Sequence, residues 1–481
     1  MLINNQSSQS SLALLSRLSR RGLFSHMGAG AGALALAALF QDEARAQSKN
    51  SRVFDLQPRK PHFAPKVKRV IYLFQNGGAS QVDLFDPKPE LTKHSGQKPG
   101  ADFINDVDVK KTGTWLASPF AFKRYGKSGM ELTELLPELG KQADRIALVR
   151  SMVSEHENHE QACGHMHTGS PIAGRPTFGS WVTYGLGTEN QNLPAYVALL
   201  SPQGMPVDGI RNWSSGWMPP LYQGMSVRSV DTSPILNLES RLPAEAADAR
   251  LKLLQTLNRE HFRAHPENLE LDARIANFEL AARMQLAATD ALDMSKESAA
   301  TRVLYGLDTK ETAIYGRQCL MARRLVERGV RFVQVMMAGQ PWDTHTDNNN
   351  QLRTLCRATD LPVAGLLEDL KQRGLFDETL VIWTGEFGRT PFSEGKDGRD
   401  HHKRGFSLWM AGGGIKGGIT HGATDDFGYA SVQDIVTVSD FHATLLHLLG
   451  LDFQKLTFPY ESRDQRLTDV NPAQIVKAIL S

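Results

Sequence analysis

Short runs of continuously apolar residues recur along this chain, and they constrain its fold more than any other feature. They are Val70–Phe74, Ile146–Val149, Tyr196–Leu200, Val330–Met337, Leu380–Trp383 and Phe406–Met410. None alternates apolar with polar, so each reads as a strand covered on both faces, as in a mostly parallel sheet. Helical patterns lie between several of them. Residues 311–328 end at Gly329, 351–373 end at Gly374, and Phe441–Leu449 ends at Gly450. Leu271, Ile275 and Phe278 make an apolar stripe after Pro266. Strands and helices in this order predict a layered α/β fold. Residues 201–265 show little periodicity and read as an irregular insertion covering the sheet.

The first 46 residues stand apart. Arg17, Arg20 and Arg21 are followed by an apolar run from Met27 to Phe40 and by Ala44-Arg45-Ala46, a small-x-small cleavage site. This is the pattern of a signal peptide, and the run is shorter than the roughly 20 residues a membrane span needs. Ser19-Arg20-Arg21-Gly22-Leu23-Phe24 is similar to a twin-arginine export signal. The expected location is therefore periplasmic or secreted. Residues 47–69, with three prolines, read as an extended lead-in, 70–471 as a single domain, and 472–481 as a tail. The 54 Lys and Arg against 52 Asp and Glu exclude a general affinity for nucleic acid. Three cysteines, Cys163, Cys319 and Cys356, do not make a disulfide framework.

Ligands of parallel sheets bind beyond the carboxyl ends of the strands, so the residues after each run are the candidates. Gln75-Asn76-Gly77-Gly78-Ala79-Ser80 leads to Asp83, Trp342-Asp343-Thr344-His345 follows the fourth run, and Gly385-Glu386-Phe387-Gly388-Arg389 follows the fifth. Arg399-Asp400-His401-His402 precedes the sixth. Asp343, His345, Glu386, Asp400 and His401 offer oxygen and imidazole without thiolate, which suits a divalent ion such as Zn, Mn, Fe or Mg. A second constellation runs from His156 through His159, Cys163 and His165 to His167. On a helix His156, His159 and Cys163 would share a face that His167 continues. Metal ligation, acid–base work and contact with an anion all fit it. Ser80, in its glycine-rich turn, is a candidate nucleophile.

These segments resemble the exported bacterial family called domain of unknown function 1501, within the alkaline phosphatase and sulfatase superfamily. The signatures are Gly77 to Asp83 with Phe85-Asp86-Pro87, Trp342 to His345, Gly385 to Pro391 with Gly398 to His401, and Gly422 to Asp425. The resemblance implies a three-layer α/β/α sandwich and two metal ions beside a Ser, Thr or Cys nucleophile. It implies that Asp343 and His345, with His401 or else His402, hold one ion. The second site departs from the pattern, because Glu386-Phe387 stands where an Asp-His pair is usual and Asn76 or Gly77 stands near the first-strand aspartate. The resemblance then leaves Asp83 as the residue that could substitute for it. Nine residues before Thr168-Gly169, where the nucleophile is usual, stands His159, which leaves Ser80 and Ser154 as fallbacks.

The resulting expectation is a metal-dependent hydrolase of phosphate or sulfate esters, acting on a small molecule or glycan. Its metal set is Asp343, His345, His401, Glu386, Asp83 and Asp400, holding one or two Zn, Mn, Fe or Ca ions. His159, His167 and Ser80 are its catalytic candidates; Arg389, Arg399 and His156 its substrate-binding ones. The alternative is a non-catalytic relative, a binding or assembly protein that has lost one metal site.

Overall fold

The computed structural model describes residues 55–103, 112–229, 235, 243–265 and 269–481. The proposed signal peptide lies outside them. Every apolar run falls in one nine-stranded sheet. In chain order its strands are β1 Arg69–Phe74, β2 Ile146–Val153, β3 Tyr196–Leu200, β4 Met225–Arg228, β5 Phe332–Met336, β6 Thr379–Thr384, β7 Phe406–Gly412, β8 Ile419–His421 and β9 Val436–Thr437. Across the sheet the order is β8-β2-β7-β6-β1-β5-β3-β4, and β9 also pairs with β2. β7 runs antiparallel to β2 and β6, and all other pairings are parallel. The sheet is thus mostly parallel, as the apolar runs predict.

Among the described residues, seven longer helices accompany it: α1 His159–Thr168, α2 Phe178–Leu186, α3 Ala244–Ala264, α4 Leu269–Leu292, α5 Ala313–Glu327, α6 Asn348–Gln372 and α7 Val438–Leu448. They cover both faces of the sheet. Tyr72 and Phe74 of β1 point to one face, where their rings lie 5.7 and 4.3 Å from His167 of α1. Phe178 of α2 joins this layer against Phe332 at 5.2 Å and His442 of α7 at 5.9 Å. Gln75, next in the alternation, turns the other way and donates Nε2 to Tyr315 Oη of α5 at 2.8 Å. Asp369 of α6 pairs with Arg323 of α5 at 2.8 Å. The result is a three-layer α/β/α sandwich with a fully covered central strand.

Two expectations need correction. The stretch 201–265 is not wholly irregular, because it holds β4 and the 21-residue α3. Ala, Glu, Arg and Leu fill α3, so helix propensity marks it where periodicity does not. On α4 the inward stripe is Leu280, Met284, Ala288 and Ala291, whereas Phe278 is 73% exposed. Leu271's side chain lies outside the described residues.

α7 begins with a capping box, in which Asp440 N donates to Thr437 Oγ1 at 3.1 Å and Thr437 N donates to Asp440 Oδ2 at 3.0 Å. Thr437→Ala is expected to cost about 1 kcal/mol, read as a lower denaturant midpoint with an unchanged slope. No described helix is long and apolar enough to cross a membrane.

Candidate metal centre

β6, β1 and β5 are adjacent and parallel, so their carboxyl ends bring three loops to one edge. β7 is antiparallel, so the residues before it reach the same edge. Two glycines let these loops close. Gly77, at φ 115°, lies so near the loop after β5 that a Cβ would sit 2.5 Å from Asp343 N. A Cβ on Gly398 would sit 1.7 Å from the His345 carbonyl oxygen. Arg399 N then donates to Thr344 O at 3.0 Å, which ties the two loops together. A short antiparallel ribbon sets His401 opposite Arg389.

Asp343 is the hub. Its Oδ1 lies 2.9 Å from His345 Nε2 and 3.0 Å from His401 Nε2, and its Oδ2 lies 3.3 Å from His159 Nε2 at the start of α1. His345 Nε2 and His401 Nε2 are themselves 3.0 Å apart. Gln340 Nε2 donates to Oδ2 at 2.8 Å, and Arg389 Nη2 donates to Oδ1.

Each ring is held from behind by an oxygen. His159 Nδ1 faces Glu386 Oε1 at 2.7 Å, His401 Nδ1 faces the Glu157 carbonyl at 2.7 Å, and His345 Nδ1 faces Glu394. A carbonyl or a carboxylate only accepts, so each Nδ1 carries a proton, and a ring that gives up its second proton turns an Nε2 lone pair toward Asp343. Three lone pairs around one carboxylate repel unless a cation or extra protons intervene. Burial alone would lower the His159 pKa, but hydrogen bonds and charge from Asp343 and Glu386 hold it up at about 9. Burial alone would raise the Asp343 carboxyl, but the three histidines and Arg389 bring it far below the usual carboxylate range. Donor spacings near 3 Å suit a divalent ion with bonds of about 2.1 Å, and oxygen partners behind ligating rings are the usual support of such a site. The residues therefore fit a metal. Three imidazoles favour Zn, Mn or Fe over Ca, which prefers oxygen alone.

Two overlapping groups can hold an ion, His159 with Asp343 and His401, and His345 with Asp400 and His401. Asp400 sits on the rim, with Oδ1 accepting from His401 N at 2.8 Å and 3.9 Å from His345 Nδ1. His402 is turned away, its Nε2 against the Tyr429 carbonyl and its ring 4.5 Å from that of Tyr429.

The remaining expected site residues have other tasks. Asp83 and Arg399 form a fully buried two-bond pair at 2.6 and 2.9 Å. Ser80 Oγ donates to Asp83 at 2.6 Å and is 1% exposed, so it is not placed to attack a substrate. Arg389 is fully buried and donates to the carbonyls of Gly77, Gly78 and Arg399 besides Asp343. Neither arginine is free for a substrate anion. Glu386 holds His159 and accepts from Gly77 N at 2.8 Å. His156 lies ahead of α1, partly exposed, beside His165 and outside the cluster. Glu394, Gln340 and the Glu157 carbonyl join the centre without any sequence signal that singles them out.

His167 is buried between Tyr72 and Phe74, and it does not reach the cluster. Burial, then the nearby His442, pushes its pKa down to about 3, and burial brings His442 to about 3 as well. The fold therefore favours both neutral rings. The unfolded chain takes up protons first, below pH 6.5, so this stabilisation is full above that value and is lost as pH falls. Each ring is expected to cost about 2 kcal/mol of stability between pH 7 and pH 5, read from denaturant midpoints. His167→Phe is expected to flatten that slope.

Likeness to solved structures is remote. The lipoteichoic acid synthase LtaP from Listeria monocytogenes is 9% identical over 81% of this chain and 74% of its own, with a TM-score of 0.36. The PsFucS1 sulfatase from Pseudoalteromonas sp. is 13% identical over 82% and 68%, with a TM-score of 0.34. A mutant of TAB5 alkaline phosphatase is 10% identical over 81% and 99%, also at 0.34. No curated protein sequence matches the chain. Residues 67–480 match the family described as Protein of unknown function (DUF1501), and the chain belongs to that family.

Proposed function

We propose that this chain is an exported, metal-dependent hydrolase of phosphate or sulfate esters. One observation carries the reading: three histidines turn Nε2 toward Asp343 while an oxygen holds each Nδ1. Asp343, His345 and His401 would hold the ion, with His159 facing Asp343 from α1, and the ion supplies Lewis acidity toward a phosphoryl or sulfuryl oxygen when bound. Glu386, Glu394 and the Glu157 carbonyl fix the rings. Arg389 keeps Asp343 ionised. The side chains of His345 and His401 are 34% and 20% exposed, so a solvent-borne ester can reach the centre. Export rests on the basic, apolar and small-x-small pattern of residues 1–46.

The alternative, a binding or assembly protein, has its own support. Phe387 packs 5.0 Å from the His159 ring and 4.7 Å from the His401 ring, where the resemblance leads one to expect a histidine ligand. The test is turnover of 4-nitrophenyl phosphate and 4-nitrophenyl sulfate by metal-loaded protein. Hydrolysis that is lost to a chelator and regained with metal is expected. A loaded protein that turns over neither these nor a wider panel of esters moves the assignment to the binding reading.

A further inference from the structure

We infer that the open side of α3 pairs two copies of this chain, helix against helix and antiparallel, about a two-fold axis at Gln255. This pairing is independent of the ester reading and of the metal centre.

α3 carries more apolar surface than its own neighbours cover. Leu251, Gln255 and Asn258 lie along one side of the helix and are half-buried, and α3 packs on α4. A second side stays open. Ala246, Arg250, Leu253, Leu257, Glu260 and Ala264 are all exposed, Leu253 by 59% and Leu257 by 51%. Their alternating spacing of four and three residues keeps them on one stripe of an α-helix, and it is the spacing of a coiled-coil seam. Leu254, 45% exposed, borders the stripe. Single exposed leucines are ordinary, whereas a contiguous apolar patch marks an interaction surface.

The order of residues along the stripe selects the occupant. From either end it runs alanine, charge, leucine, leucine, charge, alanine, and the two charges are opposite. Two such helices laid antiparallel, crossing at Gln255, set Ala246 against Ala264, Arg250 against Glu260 and Leu253 against Leu257 of the second copy. A two-fold axis makes each of these contacts twice, as a self-complementary surface requires. Parallel pairing in register would instead set Arg250 on Arg250 and Glu260 on Glu260, which like-charge repulsion disfavours. Asp248 and Lys252, on the far side of α3, pair with each other at 2.8 Å, whereas among the described residues neither Arg250 nor Glu260 has an ion pair within the chain. An anionic lipid surface would favour basic residues alone beside the leucines, and Glu260 argues against it.

At 1.5 Å per residue the stripe is about 27 Å long. A strip of one helix is smaller than the roughly 800 Å² per partner of a standard stable interface, so a dissociable dimer with a micromolar Kd is expected.

The experiment is sedimentation equilibrium of the purified protein from about 1 to 200 µM, a range that brackets such a Kd. A monomer–dimer equilibrium is expected. Arg250→Glu alone, or Glu260→Arg alone, sets like charges together at both ends of the seam, and each is expected to weaken association at least about 10-fold. An equimolar mixture of these two variants regains both opposite pairs, so it is expected to associate nearly as the wild type does. The double variant Arg250→Glu/Glu260→Arg is expected to do the same. A change in solubility or in helix stability would not be repaired by mixing. If either charge reversal alters the circular dichroism spectrum, Leu257→Gln takes its place, and it is expected to abolish the dimer. A chain that stays monomeric over the whole range would overturn the inference. So would a dimer that the substitutions leave unchanged, or one that both charge reversals weaken and their mixture fails to restore.

Discussion

Asp343→Asn is expected to lower metal affinity by at least about 100-fold while the protein stays folded. Its two oxygens face all three ring nitrogens, so no other single residue touches as much of the centre. Loss of a partner behind a ligand typically costs 10- to 100-fold, which makes the upper figure a floor for the hub itself. Asparagine keeps the shape but brings one neutral oxygen and an NH₂ group. The NH₂ would point donor to donor at a protonated ring or at Arg389, and the neutral oxygen would ligate weakly. Arg389 keeps its backbone carbonyl acceptors, so the fold should survive. The readouts are metal per chain after gel filtration and ester turnover at fixed metal. Full metal content in folded Asp343→Asn would remove Asp343 from the ligand set, and the hydrolase reading would lose its support.

The sheet was legible because its strands are apolar on both faces, and that pattern has few other uses. β4, β8 and β9 were not, since four residues or fewer at the margins of a sheet leave little pattern. Asp343, His345 and His401 were legible from residue type and from their place at strand ends. The roles of Asp83, Arg399, Ser80 and Arg389 were not. A buried ion pair and an anion-binding pair use the same side chains, and only burial and partners separate them. His159 and His167 illustrate the same limit. They lie eight residues apart in one cluster, yet α1 points His159 at Asp343 and sets His167 against Tyr72 and Phe74. Helical periodicity groups such residues without saying which face meets the core.

Arg399→Met is expected to destabilise the fold by about 3–5 kcal/mol at pH 7.5, without changing metal stoichiometry at saturation or the KM of any ester turned over. The guanidinium and the Asp83 carboxylate are both 0% exposed, and they meet through two parallel bonds. Removing one partner strands the other charge in the interior, and that loss exceeds the net worth of the pair. The carbonyls of Thr390 and Leu116 lose a donor as well. Arg399→Lys is expected to rescue only part, because an ammonium cannot reproduce the two-bond geometry. The pH dependence separates this account from a general packing loss. In the wild type, burial pushes the Asp83 pKa up, but Arg399, Ser80 and Asn348 together bring it below its usual value. That contribution is present above the unfolded pKa and fades only in strong acid. Without Arg399 the burial effect prevails, so the folded pKa rises above the unfolded one. Stability is then regained as pH falls and the carboxyl takes up its proton. The gap between Arg399→Met and wild type should therefore be widest near neutrality and shrink toward pH 4. A gap that stays constant across that range would mean lost packing instead of a stranded charge. A raised KM with unchanged stability would return Arg399 to the substrate.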